Sequence, residues 1–151
     1  MGTSTLIAAG SRVRGARSGS LGGSVPARPV PQAARDLLSD AGRGLGRAIR
    51  ADEPADRYSI AHLSALRAAA ALLATRARPG VRGNRGNAWT LLARMAPELG
   101  EWAAFFAAGS AKRQAADAGI TRLVSAREAD DMVRQASAFV DLIEATVSGR
   151  G

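Results

Sequence analysis

The sequence predicts an all-α protein, a four- to five-helix up-and-down bundle behind a basic N-terminal tail. Apolar residues recur at spacings of three and four along most of the chain after residue 31. Breaks rich in glycine, proline or acidic residues interrupt this pattern at 51–56, 78–87 and 119. No stretch alternates as a strand does, and the short connections favour antiparallel neighbouring helices.

The first 31 residues are rich in glycine, serine, arginine and proline and contain no acidic residue. They can bury too little apolar area to offset the entropy of ordering, which predicts a disordered tail at 1–31 ahead of a bundle at 32–151. An acid-free start rich in arginine and serine is also typical of an organelle transit peptide. Phosphate binding to RNA or DNA and a solvated extension or misassigned start codon are the other interpretations, and all three stay open.

The first helix is predicted from Gln32 to Arg50. Glycines at 42, 44 and 46 each cost about 1 kcal/mol relative to alanine, so this helix should form only by packing on others and should fray after Asp40. Pro54 suits the first turn of the second helix, predicted over residues 54–78 with an apolar stripe of five turns.

The stretch RPGVRGNRGN at 78–87 predicts a flexible basic loop. A third helical segment follows over 87–119, and Pro97 within it predicts a kink or a restart. Ser125 and Glu128 have capping-box spacing and predict the start of the last helix. Four aromatic residues of the third segment are predicted to lie in the core, with base stacking as the alternative: Trp89, Trp102, Phe105 and Phe106.

Composition excludes several classes of protein. The chain has no cysteine, which removes disulfides, thiolate metal sites and cysteine nucleophiles. We therefore expect no zinc site, and the lack of cysteine suits a reducing cytoplasm. We also expect no other metal and no cofactor. No run of 18 apolar residues exists, so no membrane span is predicted.

Two further local motifs do not indicate a site. The loop GNRGN lacks the preceding strand and the Lys-Ser/Thr pair of a phosphate loop. The carboxylate pairs Glu98/Glu101 and Asp130/Asp131 fit a solvated helix face.

The positive charge is almost entirely arginine. Lys112 is the only lysine among 21 basic residues, a bias typical of a GC-rich bacterial genome such as that of an actinobacterium. The net charge is +8, and residues 1–50 alone carry eight arginines against two aspartates. The excess therefore lies in the first half of the chain, where it can attract polyanions.

Three stretches carry a family resemblance: RYSIAHLSALRAAAALLATRARP, NAWTLLARMAPELGEWAAFFAAGSAKRQAADAG and SAREADDMVRQASAFVDLIEA. Together they resemble the small actinobacterial SAV-type branch of the HEPN superfamily, over about residues 50–148. The resemblance implies a HEPN-like helical bundle that usually dimerises. It also implies a choice of functions, either RNA-cutting toxins and RNases or noncatalytic binding and accessory modules.

In active members an arginine is followed after four to six residues by a histidine, and two such elements meet across the dimer. The matching surroundings here are those of Arg113, and no histidine follows it. This departure matters because metal-free RNA cleavage needs a group with a near-neutral pKa to move a proton. Arginine stabilises phosphorane charge but does not replace that proton transfer.

The chain's only histidine, His62, follows Arg57 in RYSIAH with the spacing of that motif, but on the second helix. Five residues of a regular helix separate two side chains by about 140°. We therefore expect His62 to be half-buried at the edge of the apolar stripe, beside Tyr58, and Arg57 to be solvated. His62 is then a boundary residue, a relocated catalytic group completed by Arg57 of a second subunit, or a noncatalytic ligand or partner contact.

The leading hypothesis is a noncatalytic helical interaction module, a homodimer, with weak salt-sensitive attraction to RNA or another polyanion. Its candidate nucleic-acid-binding residues are Arg12, Arg14, Arg17, Arg78, Arg82, Arg85 and Arg113. The alternative is a metal-independent RNase or a toxin of a toxin–antitoxin system, which uses Arg57 and His62. A third hypothesis is an adaptor whose groove receives a partner's helix.

Overall fold

The computed structural model describes residues 29–76 and 87–149. Within these ranges the chain forms five α-helices and one 3₁₀ turn, and no strand, so the all-α prediction is confirmed. The helices are α1 (Gln32–Arg50), α2 (Pro54–Thr75), α3 (Ala88–Met95), α4 (Gly100–Asp117) and α5 (Ala126–Val147), with the 3₁₀ turn at Pro97–Leu99. The predicted tail, apart from residues 29–31, and the predicted loop, apart from residue 87, lie outside the described residues.

Helix α2 is the centre of the bundle and packs against each of the other four helices. Helices α1 and α5 also contact each other, and α3 packs on α4. None of the described helices is both long enough and apolar enough to cross a membrane.

Local sequence signals set the helix ends. Ser125 Oγ accepts a hydrogen bond from the Glu128 amide at 3.1 Å, and the Glu128 carboxylate accepts one from the Ser125 amide at 3.0 Å, which confirms the capping box. Pro97 also acts as predicted, because α3 ends at Met95 and the chain restarts as a helix at Gly100. Proline cannot donate to the preceding turn, and this interrupts the helical hydrogen bonds.

The predicted fraying of α1 after Asp40 is wrong, because the helix continues without interruption to Arg50. Its later turns bury Ala41, Gly44 and Ala48. A Cβ atom at Gly44 would overlap with the Ser64 hydroxyl on α2. The glycine that weakens α1 as an isolated helix therefore allows α1 to approach α2 closely, and this packing holds the helix together.

Aromatic rings fill the core between α3, α4 and α5. Trp89, Phe106 and Phe139 are buried, and the Phe106 ring centroid lies 5.0 Å from Trp89 and 5.1 Å from Phe139. Trp102 is half-buried beside them, with its ring 5.5 Å from Phe139. The core prediction fails for Phe105, which is 42% exposed because it points roughly 100° around α4 from Phe106.

Candidate functional site

His62 lies inside the bundle, where α2 faces α4. Its side chain is 0% exposed, so the predicted half-burial is wrong. The Nε2 atom is 2.8 Å from the backbone carbonyl oxygen of Phe106. Because a carbonyl can only accept, Nε2 carries the proton and donates it. The other ring nitrogen, Nδ1, is buried without a hydrogen-bond partner.

The surroundings of His62 favour the neutral ring. Its ring is stacked on Tyr58 at a centroid distance of 6.5 Å, as the sequence suggested, and lies edge-on to Trp89 and Phe106. Burial lowers the pKa of His62, and the positive charge of Arg113 lowers it further. The Phe106 carbonyl and the Asp117 carboxylate oppose this effect but do not overcome it.

Close packing at Gly109 brings α4 against this part of α2. A Cβ atom at Gly109 would lie 2.7 Å from the Tyr58 hydroxyl, 3.4 Å from His62 Cδ2 and 3.4 Å from the terminal methyl of Met132. No other residue leaves this space free, so the glycine determines how deeply the histidine is covered.

A polar network lies on α2 and α4 within electrostatic reach of His62. Arg113 Nη1 donates to the Asp117 carboxylate at 2.7 Å, and the Ser59 hydroxyl donates to the same carboxylate. The Arg113 side chain is 17% exposed, and its Nε atom is buried without a partner. The structure thus brings the chain's only histidine near Arg113, the arginine that the family resemblance singled out, although the two are far apart in sequence.

The network continues towards the start of α5. Lys112 donates to the carboxylate of Glu128, which also forms the capping box. This hydrogen bond raises the pKa of Lys112 and lowers that of Glu128. Burial raises the pKa of Tyr58, against the nearby charge of Lys112. Lys112, Arg113, Asp117 and Glu128 therefore each have a counter-charge already.

Arg57 is held on another side of α2, away from His62. Its Nη1 donates to Asp130 on α5 at 3.0 Å. Its Nε and Nη2 donate to the backbone carbonyls of Ala51 and Asp52, just after α1, at 3.2 and 3.1 Å. The side chain is 18% exposed, so the prediction of a solvated arginine is wrong. Carbonyls left free at the end of α1 attract the guanidinium, which a pattern on α2 alone does not reveal.

Of the seven candidate nucleic-acid-binding arginines, the structure describes only Arg113, and it is mostly covered and paired with Asp117. The other six lie outside the described residues: Arg12, Arg14, Arg17, Arg78, Arg82 and Arg85.

Sequence reasoning missed the connection between Ser59, His62 and Asp117. One signal was available, since Arg113 and Asp117 are four residues apart on one helix face, as are Tyr58 and His62. The sequence alone does not show that these two faces contact each other, because that depends on how α2 packs on α4.

In this arrangement neither ring nitrogen of His62 is open to a substrate. Among residues 29–76 and 87–149, no three histidine, aspartate or glutamate side chains are grouped so as to hold a metal ion. The site as folded is a sealed histidine beside a partly exposed polar network that joins α2, α4 and α5.

Comparison with known proteins gives one finding. A family model described as SAV_6107-like HEPN matches residues 48–144, which is more than half of the chain. No curated protein and no solved structure matches significantly.

Proposed function

Because the chain belongs to the SAV_6107-like HEPN family, we propose that it is a noncatalytic helical interaction module of the HEPN type. The observation that carries this proposal is the complete burial of His62, whose Nε2 proton is committed to the Phe106 carbonyl. A general acid or base must come within hydrogen-bond reach of the substrate proton, and a sealed ring does not.

Two further observations support the same proposal. Arg57 is engaged by Asp130 and by the end of α1, so pairing it with His62 of a second subunit requires these hydrogen bonds to break. Arg113 is held by Asp117 and has no histidine after it. An arginine that stabilises charge but has no proton donor beside it binds phosphate without cleaving RNA.

We expect the purified full chain to leave a mixed RNA pool intact in EDTA over a wide range of protein concentrations. The measurement is gel analysis of end-labelled RNA, with His62→Gln as the matched variant because a glutamine amide can also donate to the Phe106 carbonyl. If the wild type cleaves RNA in EDTA and folded His62→Gln does not, the alternative of a metal-independent RNase or toxin replaces this proposal.

We also propose weak polyanion binding through the arginine-rich segments of the chain. This proposal is supported by the net charge of +8 and by its concentration in the first half of the sequence. Arg113 should contribute least, because Asp117 already neutralises it.

Deletion of residues 1–31 should weaken binding to single-stranded RNA and flatten its salt dependence. The segment holds four arginines, so the slope of log K against log salt should fall in magnitude by up to about 3. Fluorescence anisotropy between about 50 and 300 mM NaCl measures the slope, and circular dichroism verifies that the bundle remains folded. A full-length variant with Arg12, Arg14, Arg17 and Arg28 changed to glutamine should behave like the deletion. An unchanged slope in both variants would remove the tail from the proposal.

The family's usual assembly supports a homodimer as the working form of the protein, and the absence of cysteine from the sequence supports a cytoplasmic location. The third hypothesis, an adaptor that receives a partner's helix, would be favoured by capture of a specific protein from the native host that competes with self-association.

A further inference from the structure

Helix α4 has an uncharged outer face. Ten consecutive residues, WAAFFAAGSA between Glu101 and Lys112, carry no charge, and five of them are exposed: Ala104, Phe105, Ala107, Ala108 and Ala111. On its inner side α4 packs against α2 and α3. A groove of about 330 Å³ runs beside the outer face, lined by Glu101, Trp102, Phe105 and Gln135.

Four residues of α4 form a stripe along this face, at spacings of four, three and four. They are Glu101, Phe105, Ala108 and Lys112, and residues at these spacings lie on one side of a helix. The stripe has an acidic end, a basic end, and one large and one small apolar residue between them. Phe105 is 42% exposed and Lys112 33% exposed. Glu101 makes no ion pair with any residue that the structure describes.

We propose that this stripe is the contact surface between two copies of the chain, paired antiparallel about a two-fold axis that passes between residues 106 and 107. This inference rests on the homodimer of the proposed function and names its surface. In that register Glu101 faces Lys112 of the partner subunit and Phe105 faces Ala108 of the partner subunit. The two-fold axis repeats both contacts, so the stripe is complementary to itself.

Charge complementarity selects this orientation and this partner. A parallel pair in register would place Glu101 against Glu101 and Lys112 against Lys112, and like charges in contact are unfavourable. In the antiparallel pair Lys112 lies between Glu128 of its own chain and Glu101 of the partner subunit, which extends an existing hydrogen bond into a network. RNA does not fit the uncharged centre of the stripe, because it offers no cation to a phosphate.

The sizes of the apolar side chains in the stripe also favour the antiparallel pairing. An exposed phenylalanine beside alanines lets two helices approach closely, since each large side chain fills the space above the partner's small one. Aromatic anchors of this kind dominate the binding energy of protein interfaces, and surrounding contacts mainly exclude water.

The first test is the oligomeric state of the full chain by light scattering and sedimentation over a range of concentrations. Phe105→Arg should raise the dimer dissociation constant by about 30-fold or more, as expected for loss of a central aromatic anchor. Ile49→Arg is the matched control, because Ile49 is 66% exposed on α1 and should leave the constant within about threefold of the wild-type value. Ala108→Arg provides a second disrupting variant, and circular dichroism verifies that each variant is folded.

The second test determines the orientation of the two copies. Because the sequence contains no cysteine, a maleimide reacts only with the thiols that are introduced. A mixture of Glu101→Cys and Lys112→Cys proteins should form a covalent dimer with a short bis-maleimide, because the two new thiols face each other across the axis. This mixed dimer also keeps one Glu101–Lys112 pair, whereas each variant alone keeps none and should crosslink poorly.

The outcomes separate the two proposals. A wild-type chain that stays monomeric at every concentration overturns the homodimer and this surface together. A dimer that persists in both Phe105→Arg and Ala108→Arg overturns the surface alone. Loss of the dimer in these variants, its retention in Ile49→Arg and crosslinking of the mixture only are the results we expect.

Discussion

Replacing Phe106 with alanine is expected to lower the free energy of unfolding by about 3–5 kcal/mol. The ring is fully buried and lies 5.0 Å from Trp89, 5.1 Å from Phe139 and 6.2 Å from Trp102, measured between ring centroids. Alanine removes the transfer energy of a whole benzyl group and leaves a cavity among rigid rings that do not collapse into it. Domains of this size are stable by about 5–15 kcal/mol, so one substitution removes a large part of the total.

Urea unfolding followed by far-ultraviolet circular dichroism measures this change, and tryptophan fluorescence reports the same region through Trp89 and Trp102. The control is Ile49→Ala, which shortens an exposed side chain and should cost less than about 1 kcal/mol. A loss of only about 1 kcal/mol in Phe106→Ala would mean that the aromatic rings do not form the close-packed centre described above.

Sequence periodicity predicted most of the fold because its signals are local. The Ser125 capping box and the break at Pro97 depend on residues within one turn of each other, and both are found where the pattern placed them. The fraying predicted for α1 is wrong because helix propensity describes an isolated helix. At Gly44 the decisive quantity is the distance to Ser64 on α2, which no pattern within α1 contains.

The site was harder to predict than the fold for the same physical reason. A projection of α2 alone places His62 at the edge of the apolar stripe, but α4 covers that edge because Gly109 lets it approach. Arg57 was likewise predicted to be solvated, but its guanidinium donates to the carbonyl of Ala51, just after the end of α1. Whether a side chain at the margin of a helix face is exposed or buried depends on the helix that packs beside it. The burial of His62 by α4 in turn decides whether its ring can exchange a proton with a substrate.

The bundle should lose stability as the pH falls below about 6.5, and His62 should be the cause. The pKa of His62 is lowered in the folded protein, first by burial and then by Arg113, so the unfolded chain takes up its proton at a higher pH than the folded chain does. Above pH 6.5 both states are neutral and His62 makes no contribution. Between 6.5 and the lower folded pKa the unfolded state binds more protons, and stability falls by up to about 1.4 kcal/mol per pH unit.

The groups that face His62 explain why the folded protein resists protonation. Of the carboxylates that the structure describes, Asp117 is the one near enough to favour the charged ring, and it already accepts hydrogen bonds from Arg113 and Ser59. A proton on Nδ1 would be buried without an acceptor and within reach of the positive charge of Arg113. Protonation therefore favours states in which α4 has moved away from α2.

Urea unfolding of the wild type and of His62→Gln between pH 7.5 and pH 5 isolates this effect, because every other titrating group is common to both proteins. We expect the stability of the wild type to fall more steeply than that of the variant over this range. NMR of the His62 ring in the folded protein should show the neutral form with the proton on Nε2 at pH 7.5, and a pKa below the ordinary value of histidine. Parallel pH profiles, with a ring that titrates near its ordinary pKa, would mean that His62 meets solvent in the folded state. The reason for excluding it from catalysis would then be lost, and the RNase hypothesis would regain its general base.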